Sequence, residues 1–103
     1  MIKKNVGNLL KEMLQGVNYK KIILFGSRAR GDYSEKSDYD ILIVTKNNLT
    51  IREKMELSSF LRKKLAKEEV DADIVIKSKD ELNYYKIKIG SVVREALKEG
   101  IRL

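Results

Sequence analysis

The residues best equipped for chemistry lie between Gly26 and Asp40, in GSRARGDYSEKSDYD: a Gly-Ser pair, ten intervening residues from Arg28 to Ser37, then Asp38-Tyr39-Asp40. Glycine lets the backbone turn sharply after an apolar run, so that N–H groups and the Ser27 hydroxyl can face an anion such as a phosphate. Asp38 and Asp40 stand two residues apart at the start of a β-rich run, which puts both carboxylates on one face of a strand. Carboxylates that close raise each other's pKa or require a cation. The chain has no His and no Cys, and oxygen-only ligation points to Mg²⁺ rather than zinc. A third carboxylate on a neighbouring strand would complete the two-metal arrangement used for in-line phosphoryl and nucleotidyl displacement. Asp71 and Asp73 both qualify, because they share a strand face, and geometry alone does not separate them.

Other chemistries fail on residue type. Without His or Cys there is no zinc finger, disulfide framework, haem site or Ser-His-Asp triad. Gly26 to Gly31 lacks the middle glycine of G-x-G-x-x-G, and no G-K-[ST] follows as in a Walker A loop. An EF-hand starting at Asp38 would need glycine at Ile43 and an acid at Leu49. Taken singly, Gly26 is a turn, Ser27 a helix cap and DYD a polar start to a strand. As a set they say more, since four fixed letters at ~5–7% each coincide at roughly 10⁻⁵ per starting position.

Positioning these groups requires strands on both sides of the loop. Lys20 to Phe25 (KKIILF), bounded by Gly26, reads as a buried strand, and Tyr39 to Thr45 (YDILIVT) as a second, central one. Val70 to Ile76 (VDADIVI) is a third, with Asp71 and Asp73 on one face and the apolar Ala72, Ile74 and Ile76 split between faces. Helical spacing of Val6, Leu9, Leu10, Met13, Leu14 and Val17 predicts a first helix ending near Gly16 and Asn18. Thr50 and Glu53 form a capping-box pattern ahead of a helix from about Ile51 to Lys67, with Leu57, Phe60, Leu61 and Leu65 facing the core. Ser78 and Glu81 repeat the box ahead of one long last helix carrying Leu82, Tyr85, Ile89, Val92, Val93, Ala96 and Leu97, with Gly100 at its C′ position. The order α-β-(short α)-β-α-β-α predicts an α/β (α+β) fold, a mixed β-sheet covered by helices.

The 103 residues suit a single domain, 1–103, with 43% hydrophobic and 36% charged residues marking a globular chain. No apolar run approaches the ~20 residues that span a bilayer. The opening MIKKNVGNLLKEML is interrupted by Lys11 and Glu12 and lacks a cleavage site, so no secretory leader is expected. A cysteine-free chain of this kind is expected in the cytoplasm, without a membrane partner. The +7 net charge comes from 22 basic and 15 acidic residues scattered along the chain. That spread suits phosphate attraction and docking of a partner better than a dedicated nucleic-acid surface.

GSRARG from Gly26 to Gly31, SDYDILIV from Ser37 to Val44 and DIVI from Asp73 to Ile76 resemble the minimal nucleotidyltransferase (MNT) group of the DNA polymerase β superfamily. The likeness covers nearly the whole chain. It implies a nucleotidyltransferase fold in which Gly26 and Ser27 hold a triphosphate and Asp38 and Asp40 bind Mg²⁺. Asp73, favoured by the likeness over Asp71, would bind metal and help activate an acceptor hydroxyl. Two Mg²⁺ ions and ATP as substrate are implied with them. Arg28 and Arg30 are further candidates for phosphate contact, against an ordinary place as solvated or ion-paired surface groups. Tyr39 is expected in the core, facing away from the aspartates, and Tyr33 on the surface. Minimal members resemble antitoxins paired with HEPN-type ribonuclease toxins, where AMP is transferred to a toxin tyrosine. The implied partner is therefore a HEPN toxin in a hetero-oligomer, supplying the acceptor this chain has no room for. Neutralisation by contact alone, and transfer to RNA or a small molecule, are the alternative readings.

Overall fold

The structure, a computed structural model, describes residues 5–103. The first residues of the basic opening segment, Met1 to Lys4, lie outside that range. Helix α1 (Val6–Met13) starts where the Asn5 side chain accepts from the Asn8 amide. Strand β1 (Tyr19–Phe25) leads into the short helix α2 (Ser27–Arg30), and β2 (Tyr39–Thr45) follows the loop. Helix α3 (Ile51–Lys67) opens with a complete capping box, in which Thr50 Oγ1 accepts from the Glu53 amide and Glu53 accepts from the Thr50 amide. Each such cap contributes about 1 kcal/mol by satisfying amides that helix geometry leaves open. Strand β3 (Ala72–Ser78) ends at the second capping box, Ser78 with Glu81, which starts α4 (Lys79–Tyr85). Helix α5 (Val92–Glu99) and a two-residue strand β4 (Ile101–Arg102) complete the chain.

The sheet order is β3-β2-β1-β4. Strand β1 runs antiparallel to β2 and β4, while β2 and β3 are parallel, joined by α3 as a parallel pair requires a crossover. This is the expected mixed sheet with helices on both faces. Under α1 and α3 the core contains Leu10, Leu14, Ile22, Ile41, Ile43, Leu61 and Leu65, all at most 1% exposed. On the other face Ile23, Leu42 and Val44 pack against Leu82, Val93 and Ala96 of α4 and α5. Alternation along β2 therefore sends Ile41 and Ile43 to one side and Leu42 and Val44 to the other. By the same period, Asp40 takes the α4/α5 side.

Several sequence expectations change, and Phe60 of α3, expected to face the core, is 45% exposed. The long last helix is broken in two: Gly90 takes φ +82°, and the Ser91 hydroxyl caps α5 at the Arg94 amide and donates to the Tyr85 carbonyl. Ile89, placed on the apolar stripe by its spacing, is 91% exposed in the connecting turn. Gly100 is extended (φ −74°) rather than left-handed; a Cβ there would meet the Ala96 carbonyl oxygen and Ile23 Cγ2, so the glycine serves close approach as the chain turns into β4. On β3, Ala72, Ile74 and Ile76 all pack on the α1/α3 side, with Val75 on the other. Val70 is buried just ahead of β3, which runs on to Ser78.

Candidate active site

The site forms where the C-terminal end of β1 meets the N-terminal ends of β2 and β3. Phe25, the last residue of β1, pairs with Asp40, and Asp40 pairs on its other side with Asp73. Asp40 and Asp73 are thus neighbours in one row of the sheet, on the face they share with Leu42 and Val75. Asp38 lies two residues before Asp40, just ahead of β2, and its charge acts on Asp40. The two sequence candidates differ in place: Asp73 is level with Asp40, whereas Asp71 precedes β3 and its carbonyl accepts from the Tyr39 amide.

Electrostatics agree with that placement. The Asp40 carboxyl is pushed above the ordinary carboxylate range by burial first, then by the negative charges of Asp73 and Asp38, with Arg30 opposing. Among the described residues, Asp38, Asp40 and Asp73 form no ion pair within 4.0 Å. Nor, among the described residues, do three acidic groups stand close enough to grip an ion as they are. The donor set nevertheless fits a divalent cation. It offers hard oxygens only, on adjacent strands, with mutual repulsion that a cation would relieve.

Gly26 is shaped by this cluster. Its φ of +72° and ψ of −157° suit glycine, and a Cβ there would overlap the Asp40 Oδ2 atom. The turn brings its carbonyl back to accept from the Ala29 and Arg30 amides at 3.1 Å. At the start of a helix the Ser27 and Arg28 amides have no intrahelical acceptor, and the N-cap residue, Gly26, has no side chain to cap them. These groups form the edge of the turn available to an anion.

The two arginines diverge. Arg28 is committed to the loop. Its guanidinium donates to the carbonyls of Ser37 (3.0 and 3.1 Å) and Glu35 (3.2 Å) and to Tyr39 Oη (3.3 Å). It also lies between the rings of Tyr33 and Tyr39, 4.5 and 4.1 Å from their centroids. Arg28 therefore fixes the segment that delivers Asp38. Tyr39 packs toward the α1/α3 core as expected, and Tyr33 is 47% exposed. Arg30 instead pairs with Asp32 (3.2 Å) and with Glu99 at the end of α5 (3.0 Å). Glu99 Oε1 also accepts from the Gly26 amide at 3.2 Å. Sequence reading missed Glu99, which looks like any acid on a helix surface and is brought in from 73 residues away. A cleft lined by Val17, Thr45, Leu49, Leu57 and Phe60 includes the far end of β2 and none of these acids.

Residues 8–99 match the Polymerase beta nucleotidyltransferase family. A Methanocaldococcus jannaschii protein provisionally named a protein adenylyltransferase is 33% identical over 79 residues, covering 77% of this chain and 78% of its own. Another of that name from the same organism is 46% identical over 55 residues, covering 53% of this chain and 50% of its own; the match thus spans about half that relative's length. Among solved structures, a chain of the complex between a tri-AMPylated Shewanella oneidensis HEPN toxin and its MNT antitoxin superposes with a TM-score of 0.55. It is 20% identical, with 93% of this chain and 66% of that one covered, a likeness of fold.

Proposed function

Because the chain belongs to the Polymerase beta nucleotidyltransferase family, we propose that it transfers AMP from ATP to a hydroxyl on a partner protein. The observation that carries the reading is the register that sets Asp40 beside Asp73 and against the Gly26 turn. In this reading the Gly26-Ser27 turn and Arg30 bind the β- and γ-phosphates, leaving the α-phosphorus over the row of aspartates. Asp38, Asp40 and Asp73 hold Mg²⁺, two ions in the full site, which when bound neutralises charge on the phosphates and on the reacting oxygens. Asp73, at the exposed edge of the row, accepts the proton as the acceptor oxygen attacks the α-phosphorus. The new bond is acceptor O–Pα. The bond that breaks joins Pα to its bridging oxygen, which leaves with pyrophosphate. Arg28 acts indirectly, by fixing the loop that carries Asp38.

The acceptor proposed is a tyrosine of a HEPN-type ribonuclease toxin, with this chain as its antitoxin in a cytoplasmic hetero-oligomer. The fold likeness to a chain of an AMPylated HEPN complex and the adenylyltransferase names of the sequence relatives support it. ATP labelled at the α- or the γ-phosphate tests the reaction class. Label from the α position alone is expected on the partner. Label from the γ position would instead mean phosphoryl transfer.

A second reading, neutralisation by contact alone, draws on one feature. Tyr84, Ile87, Ile89 and Val92 around the α4–α5 turn are 58, 73, 91 and 49% exposed, an apolar surface suited to a partner. Under it, a chain carrying both Asp38→Asn and Asp40→Asn would still neutralise the toxin.

A further inference from the structure

Glu99 occupies a position that the nucleotide reading assigns to something else. Its carboxylate receives hydrogen bonds from the Gly26 amide (3.2 Å, to Oε1) and from Arg30 Nη1 (3.0 Å to Oε1, 3.2 Å to Oε2). A backbone amide at a glycine turn and a guanidinium are the donors a phosphate oxygen takes. The carboxylate is thus an anion already seated at the turn. Its position is electrostatically awkward, since it adds a negative charge beside Asp40 and its neighbours. Among the described residues, the two donors offset that repulsion.

Nor is Glu99 locked in place. It is the last residue of α5, its side chain is 24% exposed, and the Gly100 amide closes the helix end on the Ala96 carbonyl without involving it. The carboxylate can therefore leave the turn while the backbone of α5 and β4 stays where it is.

We propose that Glu99 is an internal competitor for the nucleotide's phosphates, holding the Gly26 amide and the Arg30 guanidinium until ATP displaces it. The inference rests on the nucleotide-transfer reading and adds a residue that sets affinity for that substrate. A competitor built into the chain lowers the apparent affinity of every ligand needing those donors by one common factor. It leaves untouched a ligand that does not need them. ATP and inorganic pyrophosphate should thus be weakened equally, and adenosine not at all.

The test is calorimetric titration of the full chain with ATP and Mg²⁺, with pyrophosphate and Mg²⁺, and with adenosine. Glu99→Ala should bind ATP and pyrophosphate about tenfold more tightly than the parent, the scale of one charge-assisted hydrogen-bond set released. Glu99→Gln, whose amide oxygen still accepts from Gly26, should fall between them. Adenosine affinity should be the same in all. In the nucleotide-free state the Gly26 amide resonance should shift in Glu99→Ala, and pyrophosphate should bring parent and variant to a common position. Equal or weaker ATP binding by a folded Glu99→Ala chain would overturn the proposal and make Glu99 a support for Arg30, leaving the nucleotide reading intact. Failure of parent and variants alike to bind ATP or pyrophosphate would overturn both.

Discussion

Replacing Asp40 with Asn should make the protein more stable while ending its activity. Asp40 is packed against the Gly26 turn, makes no ion pair among the described residues, and is destabilised by burial and by the charges of Asp73 and Asp38. Asparagine keeps the shape and removes the charge. If like charges repel on the ~0.2–1 kcal/mol scale at which cross-strand charge pairs attract, the repulsion from Asp73 and Asp38, offset by Arg30, leaves about 1 kcal/mol to recover. In a domain near this size that raises the melting temperature by ~4–8 °C. The sign with pH follows from a carboxyl held above its usual pKa. The folded state takes up a proton before the unfolded one, so stability falls as pH rises through the raised value, and below the ordinary 3.8 the penalty is absent. Thermal melts with chelator should show Asp40→Asn above the parent at pH 7 and the gap closing toward pH 4. Mg²⁺ should raise the parent's melting temperature and leave the variant's nearly unchanged. A variant that melts below the parent at pH 7, or a gap indifferent to pH, would refute the account of this cluster.

Further perturbations probe the surrounding structure. Gly26→Ala combines an unfavourable positive φ with overlap onto Asp40; a loss of about 1–3 kcal/mol by denaturant melt is expected, with loss of ATP binding by calorimetry. Arg28→Lys keeps the charge but not the fork or the stacking between Tyr33 and Tyr39. It should cost about 1–2 kcal/mol, speed tryptic cleavage after Lys36 and raise the Mg²⁺ concentration needed for half-maximal rate more than the ATP concentration. Glu81, raised by burial but lowered overall by Lys54 at 2.6 Å and by the Ser78 amide, ties α4 to α3. Its pairing stabilises above the ordinary 4.5 and is lost as pH falls through the depressed value. Glu81→Gln should therefore cost about 1 kcal/mol at pH 7, held to that by partial exposure, and progressively less as pH falls through the depressed value.

The parts of this molecule that could be read from residue order are those set by short-range rules. The caps at Thr50 and Ser78 start helices where the boxes stand, and the apolar runs that end at Phe25 and begin at Tyr39 form strands on either side of the Gly26 turn. What escaped depends on distant contacts. Residue spacing leaves Asp71 and Asp73 open and only the family resemblance favours Asp73, because the parallel register that sets Asp73 level with Asp40 depends on pairing between strands. Helical spacing runs through Ile89 without sensing the left-handed Gly90 that ends it. Strand β4 is too short to leave a pattern, and its pairing with β1 is what sets Gly100 against Ile23. Arg28 and Arg30 look alike as letters, yet one is clamped by tyrosines and the other reaches Glu99 across the fold.

The central claim is transfer of a nucleotidyl group by the aspartate row, and it is tested most directly with the purified chain, a folded HEPN-type partner, Mg²⁺ and ATP labelled at the α-phosphate. The account predicts label on a partner tyrosine with one pyrophosphate released for each group transferred, and none when Asp38 and Asp40 are both replaced by Asn. A bound partner that stays unlabelled with the parent chain, or labelling that survives loss of both aspartates, would contradict it.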